Sequence, residues 1–332
     1  MRELVSIEII VDLQPIEGAD RIEVATVKGW KIVVKKGEFK IGDVAVYFEV
    51  DSWIPKNLAP FLCSDKPKFF YHIEGSLLKT IKLRGQISQG LLLSTDYVNS
   101  YLLDHPDKYN LDLSLQDRLE VTKYEVPETS IGKSFPHFIR KTDQDRIQNL
   151  ELSNLMGIYE VTEKLDGSSM TVFSSSESDG VCSRNVWLNP DDESNFTRVA
   201  KRLNLIDIMK SVDLNLAIQG ELVGQGIQGN PYKLSYQQFY CYSIFDIDNQ
   251  EYWLPKDRVM FCTDFNIPHV PPFSHFEIDR ETTLESLLDY SDGKSAICEP
   301  FENVYREGLV FKSITSQTSF KIISNDWLLK QK

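Results

Sequence analysis

The sequence predicts an α+β protein: an N-terminal β-barrel, then a second domain of antiparallel sheets with flanking helices. Three observations carry this. Short β-branched runs recur every 8–12 residues or so across the first hundred positions, broken by Gly, Pro and Asp turn signals. From about residue 136, strands and helical segments mix without strict β–α–β alternation. Apolar residues make up 42% and charged residues 26% of the 332 positions. That is the balance of a folded chain, and at roughly 100–200 residues per domain there is room for two. The expected division is 1–110 for the barrel, 111–135 for a linker and 136–332 for the second domain.

In the first domain VSIEIIVDL, RIEVATV, WKIVVKK and VAVYFEV read as strands, and KTIKLRG and GLLLSTDYV add two more. A five-stranded barrel of the oligonucleotide-binding (OB) type fits about 100 residues. The polar stretch 101–135, with Pro106 and Pro127, reads as a linker or irregular edge. Residues 141–156 predict a helix, with Ile147, Leu150 and Leu155 on one face and Thr142 or Asp143 as cap. Strands YEVTEKL, SMTVFSS and VCSRNVWL follow. Residues 192–212 predict the clearest helix, with Phe196, Val199, Ala200, Leu203, Ile206 and Met209 at three- and four-residue steps. Strands NLAIQGELV, FYCYSIFDI and GLVFKSI come next. The helix TTLESLLDY precedes the last of these, with a capping box at Thr282 and Glu285.

The net charge is −13, from 36 Lys and Arg against 49 Asp and Glu. Taken alone, it argues against a nucleic-acid partner. The surplus is local, however. Segment 161–300 carries −11, densest from 246 to Glu299, whereas 1–110 carries −1 and 301–332 carries +2. Two basic clusters leave room for a basic face on the first domain: Lys28, Lys31, Lys35, Lys36 and Lys40, then Lys66, Lys68, Lys79, Lys82 and Arg84. The cysteines, Cys63, Cys182, Cys241, Cys262 and Cys298, form no C-x-x-C. This excludes zinc by spacing and predicts reduced thiols in a cytoplasmic protein. There is no signal peptide and no apolar span of about 18 residues, so no membrane partner is expected.

The chemistry starts at Glu163-Lys164-Leu165-Asp166-Gly167-Ser168. Alone, K-x-D-G is a surface hairpin with a solvated lysine. An ordered series changes that: Ser183-Arg184-Asn185, Gly220-Glu221-Leu222, Ile244-Phe245-Asp246, Glu307-Gly308-Leu309-Val310-Phe311-Lys312 and Ser319-Phe320-Lys321. The set resembles the covalent nucleotidyltransferase superfamily of polynucleotide ligases and capping enzymes, with its ATP-grasp-like adenylyltransferase domain. The resemblance implies that Lys164 is the nucleophile. An ordinary lysine, with pKa about 10.4, is protonated at neutral pH and attacks only if cations or desolvation lower that value. Lys312, Lys321 and Mg²⁺ or Mn²⁺ are expected to supply the positive field. Asp166, Glu221 and Glu307 are expected to hold the metal. The resemblance further implies Glu163 on the adenine amino group, Gly167 at the nucleotide, Arg184 on ribose or the nucleic-acid end, and Phe245 stacked on the base. Lys141 and the run Arg146-Ile147-Gln148-Asn149 also resemble a family element, which gives Arg146 and Gln148 a nucleotide role. A second literal pattern, Gly224-Gln225-Gly226-Ile227-Gln228-Gly229, lacks the helix a dinucleotide site needs and reads as a loop.

The residue five places after Lys164 is Ser169, where DNA ligases carry Arg. Eleven residues follow Lys321, too few for the C-terminal OB domain of DNA ligases and capping enzymes. Pro15-Ile16-Glu17-Gly18-Ala19-Asp20-Arg21-Ile22, Gly29-Trp30 and Gly85-Gln86-Ile87-Ser88-Gln89-Gly90-Leu91 resemble a tRNA-binding-type OB module. The whole resembles the fifth family of RNA ligases. That implies ATP-dependent sealing of 3′-OH/5′-phosphate nicks with an RNA 3′-OH strand, through lysyl–AMP and a 5′-adenylylated end. A monomer acting on nicked duplex is expected, with Arg184, Lys28, Lys35 and Lys36 touching nucleic acid. One departure is Ile323, where other RNA ligases place a second lysine; Lys312 or Lys330 would have to serve instead. The competing readings are an RNA-binding OB protein with a degenerate transferase domain, and a DNA ligase or capping-type enzyme.

Overall fold

Local strand propensity builds two separate bodies. The computed structural model describes residues 3–108, 110–125, 130–298 and 303–330. One unit holds the described residues up to 125 together with 148–150; the other holds 130–147 and 151–330. Pro127, a marker of the expected linker, and Glu299, the end of the acid-rich stretch, lie outside the described residues.

In the first unit Val5–Ile9 pairs antiparallel with Val44–Phe48, whose other edge pairs with Leu91–Ser94. Asp12–Pro15, Ile22–Val27 and Trp30–Lys35 form a meander. Alternation explains the packing: Trp30, Ile32 and Val34 point inward, while Lys35 at the strand's end is exposed. The inward residues join Ile10, Ala25, Val27, Ala45, Tyr47 and Leu92 in one core. Thr80–Leu83 and Gln86–Gln89 make a hairpin turned by Arg84 and Gly85, both at positive φ (49° and 83°), the pattern of a two-residue primed turn.

The stretch expected to be a linker is largely part of this unit. Leu115–Arg118 forms a helical turn capped by the Ser114 hydroxyl. Leu119 and Val121 are buried against Leu4, Val5, Phe48 and residues of the helix Thr95–Asp104. Thr122–Lys123 pairs with Ser52–Pro55. Leu115, Leu119, Val121 and Tyr124 tie this polar segment down, at a spacing that matches neither a helix nor a strand period.

The second unit contains a seven-stranded and a five-stranded sheet. The first runs Gly132–Ser134, Val186–Leu188, Asp179–Cys182, Ser168–Ser174, Leu216–Gly224, Gln237–Asp246, Glu251–Tyr252. The second runs Asp145–Arg146, Ser319–Ile323, Gly308–Ser313, Gly157–Lys164, Pro272–Ile278. All pairings are antiparallel except that of Asp145–Arg146 with Ser319–Ile323. Met170, Val172, Ile218, Leu222 and Ile244 of the larger sheet pack on Val199, Leu205, Met209 and Phe261 from the flanking helices.

Three local expectations change. Residues 141–156 are not an α-helix: the backbone of Asp145 and Arg146 aligns with Phe320 and Lys321, and two short 3-10 turns follow. The helix expected at 192–212 is two, Asn195–Arg202 and Leu205–Ser211, divided by Asn204 in the left-handed region that asparagine tolerates. The capping box sits one residue later than expected. Thr283 and Ser286 exchange the reciprocal bonds, while Thr282 bonds Asp279. No helix starts at 224–229, as expected.

Leu119→Ala should lower the unfolding free energy of the full chain by about 2–5 kcal/mol. Leu111→Ala, at a position 73% exposed, should shift the urea midpoint little. Equal small effects would restore the linker reading.

Candidate active site

Strand pairing brings the candidate residues together. Gly157–Lys164 lies between Gly308–Ser313 and Pro272–Ile278, with Lys164 opposite Gly308. Glu307 thus arrives beside Lys164, and Nζ to Oε2 is 2.6 Å. After Lys164 the chain passes to the larger sheet. Leu165 is buried with Val223, Tyr232 and Leu234. The Asp166 amide donates to the Tyr232 hydroxyl at 2.5 Å. Gly167 lies so close to the Leu216–Gly224 strand that a Cβ would stand 2.4 Å from the Leu222 carbonyl oxygen. That contact explains the glycine of K-x-D-G. Ser169 then pairs with Glu221.

Lys164, Asp166, Glu221 and Glu307 share one electrostatic environment. Burial alone would lower the Lys164 pKa, but Glu307 and Glu221 outweigh it and hold the ammonium charged. Burial pushes Asp166 up to about 6 and Glu221 up to about 8, with Glu307 adding to both. Among the described residues no three carboxylate, imidazole or thiol groups form a ready-made metal cage. The donor set nevertheless fits a divalent cation. Mg²⁺-like ions need one or two carboxylates beside phosphate oxygens and water, and raised carboxyl pKa values mark negative charge lacking compensation.

The other candidates divide. Glu163 is buried; its Oε2 accepts from the Ala296 amide at 2.7 Å, while Oε1 has no hydrogen-bond partner among the described residues. Lys312 donates to the Tyr242 carbonyl oxygen and, at 2.6 Å, to Ser243 Oγ. Burial, then the nearby Arg258 guanidinium, lowers it to about 7. Lys321 Nζ lies 3.3 Å from Asp143. Arg184 is exposed and acts electrostatically on Glu221. Lys141 donates to Asn185 at 2.8 Å. Arg146 is buried in the strand beside Lys321.

Two candidates are misplaced. Phe245 is fully buried among Ile139, Phe173, Cys182 and Ala217, with the Tyr252 ring 5.1 Å away. It pairs with Ala217, four residues along the strand from Glu221, about 13 Å at 3.3 Å per residue. It is core, with no face open to a base. An open groove lined by Asp246, Glu251, Asp257 and Gln317 lies at this end of the sheet, away from Lys164. Gln148 belongs to the first unit, where its carbonyl oxygen accepts from the Gly29 amide.

Sequence reasoning missed four residues. Tyr232 holds the Asp166 amide. Tyr242 lies with its ring 5.6 Å from Lys312 Nζ and its hydroxyl bonded to Thr142 and Ser169. Arg306 donates to the carbonyl oxygens of Tyr290, Ser291 and Asp292, closing the end of the helix Leu284–Ser291 and steadying its neighbour Glu307. Arg258 forms a buried pair with Glu160. The loop that follows the Gly224–Gly229 pattern could have pointed to Tyr232; no sequence signal marks the others.

In the first unit Lys28 is committed to Glu8 at 2.5 Å, which weakens its nucleic-acid assignment. Lys35 and Lys36 are exposed and form no ion pair among the described residues.

Gly167→Ala should destabilise the chain by about 1–3 kcal/mol, the cost of overpacking against a fixed strand. An unchanged urea midpoint would mean that the loop is not pressed against Leu222.

Known proteins agree with this geometry. A family model described as RNA ligase matches residues 157–323, and one described as an OB-fold domain matches residues 4–95. No curated protein matches by sequence. Among solved structures, Naegleria gruberi RNA ligase with PPi is 39% identical, with TM-score 0.88, covering 99% of this chain and 98% of that one. A lysine-to-alanine mutant of that ligase with ATP and Mn matches at 39% identity and TM-score 0.87, covering 98% of both chains. A glutamate-to-alanine mutant with AMP and Mn matches at 39% and 0.88, again covering 98% of both. With the matched core, the matched OB domain and the Lys164 site in place, the chain belongs to the RNA ligase family.

Proposed function

We propose that this chain is an ATP-dependent RNA ligase that seals 3′-OH/5′-phosphate nicks with an RNA 3′-OH strand, through lysyl–AMP on Lys164. The observation that carries the reading is Lys164, half-buried and paired to Glu307, with Asp166 and Glu221 alongside. Its sequence neighbour Glu163 has a buried oxygen with no donor among the described residues, the acceptor an adenine amino group needs. The Naegleria structures with ATP, AMP and PPi support the same nucleotide.

In the first step Lys164 Nζ gives up a proton, for which Glu307 is the adjacent acceptor. It then bonds the α-phosphorus as the bond to pyrophosphate breaks. AMP next passes to the 5′-phosphate end, and the RNA 3′-OH attacks that end and expels AMP. These steps depend on positioning and electrostatic relief at phosphate oxygens more than on strong acids or bases. Asp166, Glu221 and Glu307 would hold Mg²⁺ or Mn²⁺, which when bound offsets phosphate charge. Lys312 and Lys321 supply further positive charge, and Arg184 faces the ribose or the incoming end.

The first unit contacts the nucleic acid. Residues 75–95 contain no Asp or Glu but include Lys79, Lys82 and Arg84. Their hairpin lies beside the Trp30–Lys35 strand, where the Val33 amide donates to Ser88 Oγ at 3.0 Å. Lys35 and Lys36 are exposed at the end of that strand, and with Lys82 and Arg84 they are the candidate phosphate contacts of this unit. We place the enzyme in the cytoplasm as a monomer. Its cysteines form no disulfides, as a reducing compartment requires.

Wild type should be covalently labelled by α-labelled ATP with metal, and Lys164→Ala should not. Labelling by GTP alone would favour a capping-type enzyme. A nick with a 3′-terminal ribose should seal far faster than an all-DNA nick; equal rates would identify a DNA ligase. A third expectation concerns protons. Lys312, at about 7, is mostly neutral at pH 8 and must be protonated to hold phosphate. Nucleotide binding by wild type should therefore take up about one more proton at pH 8 than binding by Lys312→Met, and the difference should shrink at pH 6. Calorimetry in buffers of different ionisation enthalpy reads this directly. No difference at pH 8 would remove Lys312 from the phosphate. Finally, Lys82→Glu/Arg84→Glu should weaken nick binding and flatten its salt dependence, by roughly 0.9 in the log–log slope for each phosphate no longer neutralised. Glu281→Lys/Glu285→Lys should leave binding nearly unchanged.

A further inference from the structure

Lys312 stands directly across the ladder from Glu160. Two side chains so placed are the usual partners of a cross-strand ion pair. Here the pair does not form. Arg258, from the helix Pro255–Asp264, takes both oxygens of Glu160, at 2.8 and 3.0 Å. Both partners are almost fully buried, with side chains 2% and 5% exposed. The second guanidinium nitrogen donates to the Tyr242 carbonyl oxygen at 3.1 Å, the oxygen Lys312 also uses. Lys312 keeps only neutral acceptors, that carbonyl and Ser243 Oγ.

We propose that Arg258 is a positioning residue for nucleotidyl transfer: by holding Glu160 it denies Lys312 its cross-strand carboxylate and keeps that ammonium free for a phosphate of the nucleotide. One guanidinium nitrogen, Nη2, spans both Glu160 oxygens while Nη1 is anchored on the Tyr242 carbonyl, so the planar group is held in place against the carboxylate in a way a flexible lysine ammonium is not. Were Glu160 released, Lys312 would be drawn to it. The cation would then lie locked in the sheet, neutralised before substrate arrived. On nucleotide binding Lys312 would exchange two neutral acceptors for an anionic one. The proposal rests on the reading of Lys312 as a phosphate ligand.

The test is a double-mutant cycle on the full chain, read as the rate of covalent labelling against ATP concentration. Arg258→Met should imitate Lys312→Met, raising the ATP concentration for half-maximal labelling by roughly tenfold. Adding Glu160→Gln to Arg258→Met should restore most of the loss, because the amide has no charge with which to hold Lys312. Glu160→Gln alone should label almost normally. A merely structural pair behaves otherwise: the double variant would be no better than Arg258→Met, and labelling would follow melting temperature. That outcome would overturn the proposal. If Arg258→Met does not fold, Arg258→Lys replaces it, with the same rescue by Glu160→Gln expected. If Lys312→Met labels at the wild-type ATP concentration, the reading of Lys312 as a phosphate ligand fails. If Lys312→Met is impaired but rescue is absent, the proposal for Arg258 fails alone.

Discussion

The 2.6 Å pair between Lys164 and Glu307 organises the second unit around its chemistry. It joins residues 143 positions apart, so it exists only once the Gly157–Lys164 and Gly308–Ser313 strands are in register. Gly308 permits that register: a Cβ there would stand 2.0 Å from the Ile322 carbonyl oxygen of the next strand. Arg306, bonded to three carbonyl oxygens at the end of a helix, fixes the approach to Glu307. On the other side Gly167 and Tyr232 carry the chain from Lys164 to the Glu221 strand. Nucleophile and carboxylates are thus assembled by backbone pairing more than by direct contacts among the side chains.

The site holds charge at a cost. Removing an ion from water costs several kcal/mol even after relaxation, and three carboxyl groups surround one ammonium. The strain falls on the carboxyls, Asp166 and Glu221, whose pKa values rise. The same environment keeps Lys164 protonated, as half of an ion pair with Glu307. Four residues back on the Lys164 strand, Glu160 has both oxygens held by Arg258 away from water. Lys312 lies between the two regimes, buried without a carboxylate partner.

The charge of −13 has a simple distribution. Asp257, Asp264, Glu277, Glu281, Glu285 and Asp289 are exposed. Solvated acids cost the fold little. Asp166, Glu221 and Glu307, which share the electrostatic environment of Lys164, are half-buried instead. A net charge therefore says little about a nucleic-acid partner when surplus and binding face occupy different segments.

The sequence by itself determined the family and singled out the residues that the fold gathers around Lys164. K-x-D-G, the isolated G-E-L and E-G-L-V-F-K motifs and the final lysine are each dictated by local chemistry or by a close backbone crossing, and both leave a residue type in the sequence. It also determined the strand-rich first domain, because alternation is a local property. Only the tertiary structure decided what depends on long-range pairing. Residues 141–156 have a helical spacing but are claimed by the edge of a sheet. Phe245 sits in a motif, yet the register turns it into core. Tyr232, Tyr242, Arg258 and Arg306 matter through partners far along the chain or through backbone oxygens, and neither leaves a pattern in the sequence. The physical reason is the same in each case. A side chain's type is written locally, whereas its neighbours are set by strand register and burial, which exist only in the folded chain.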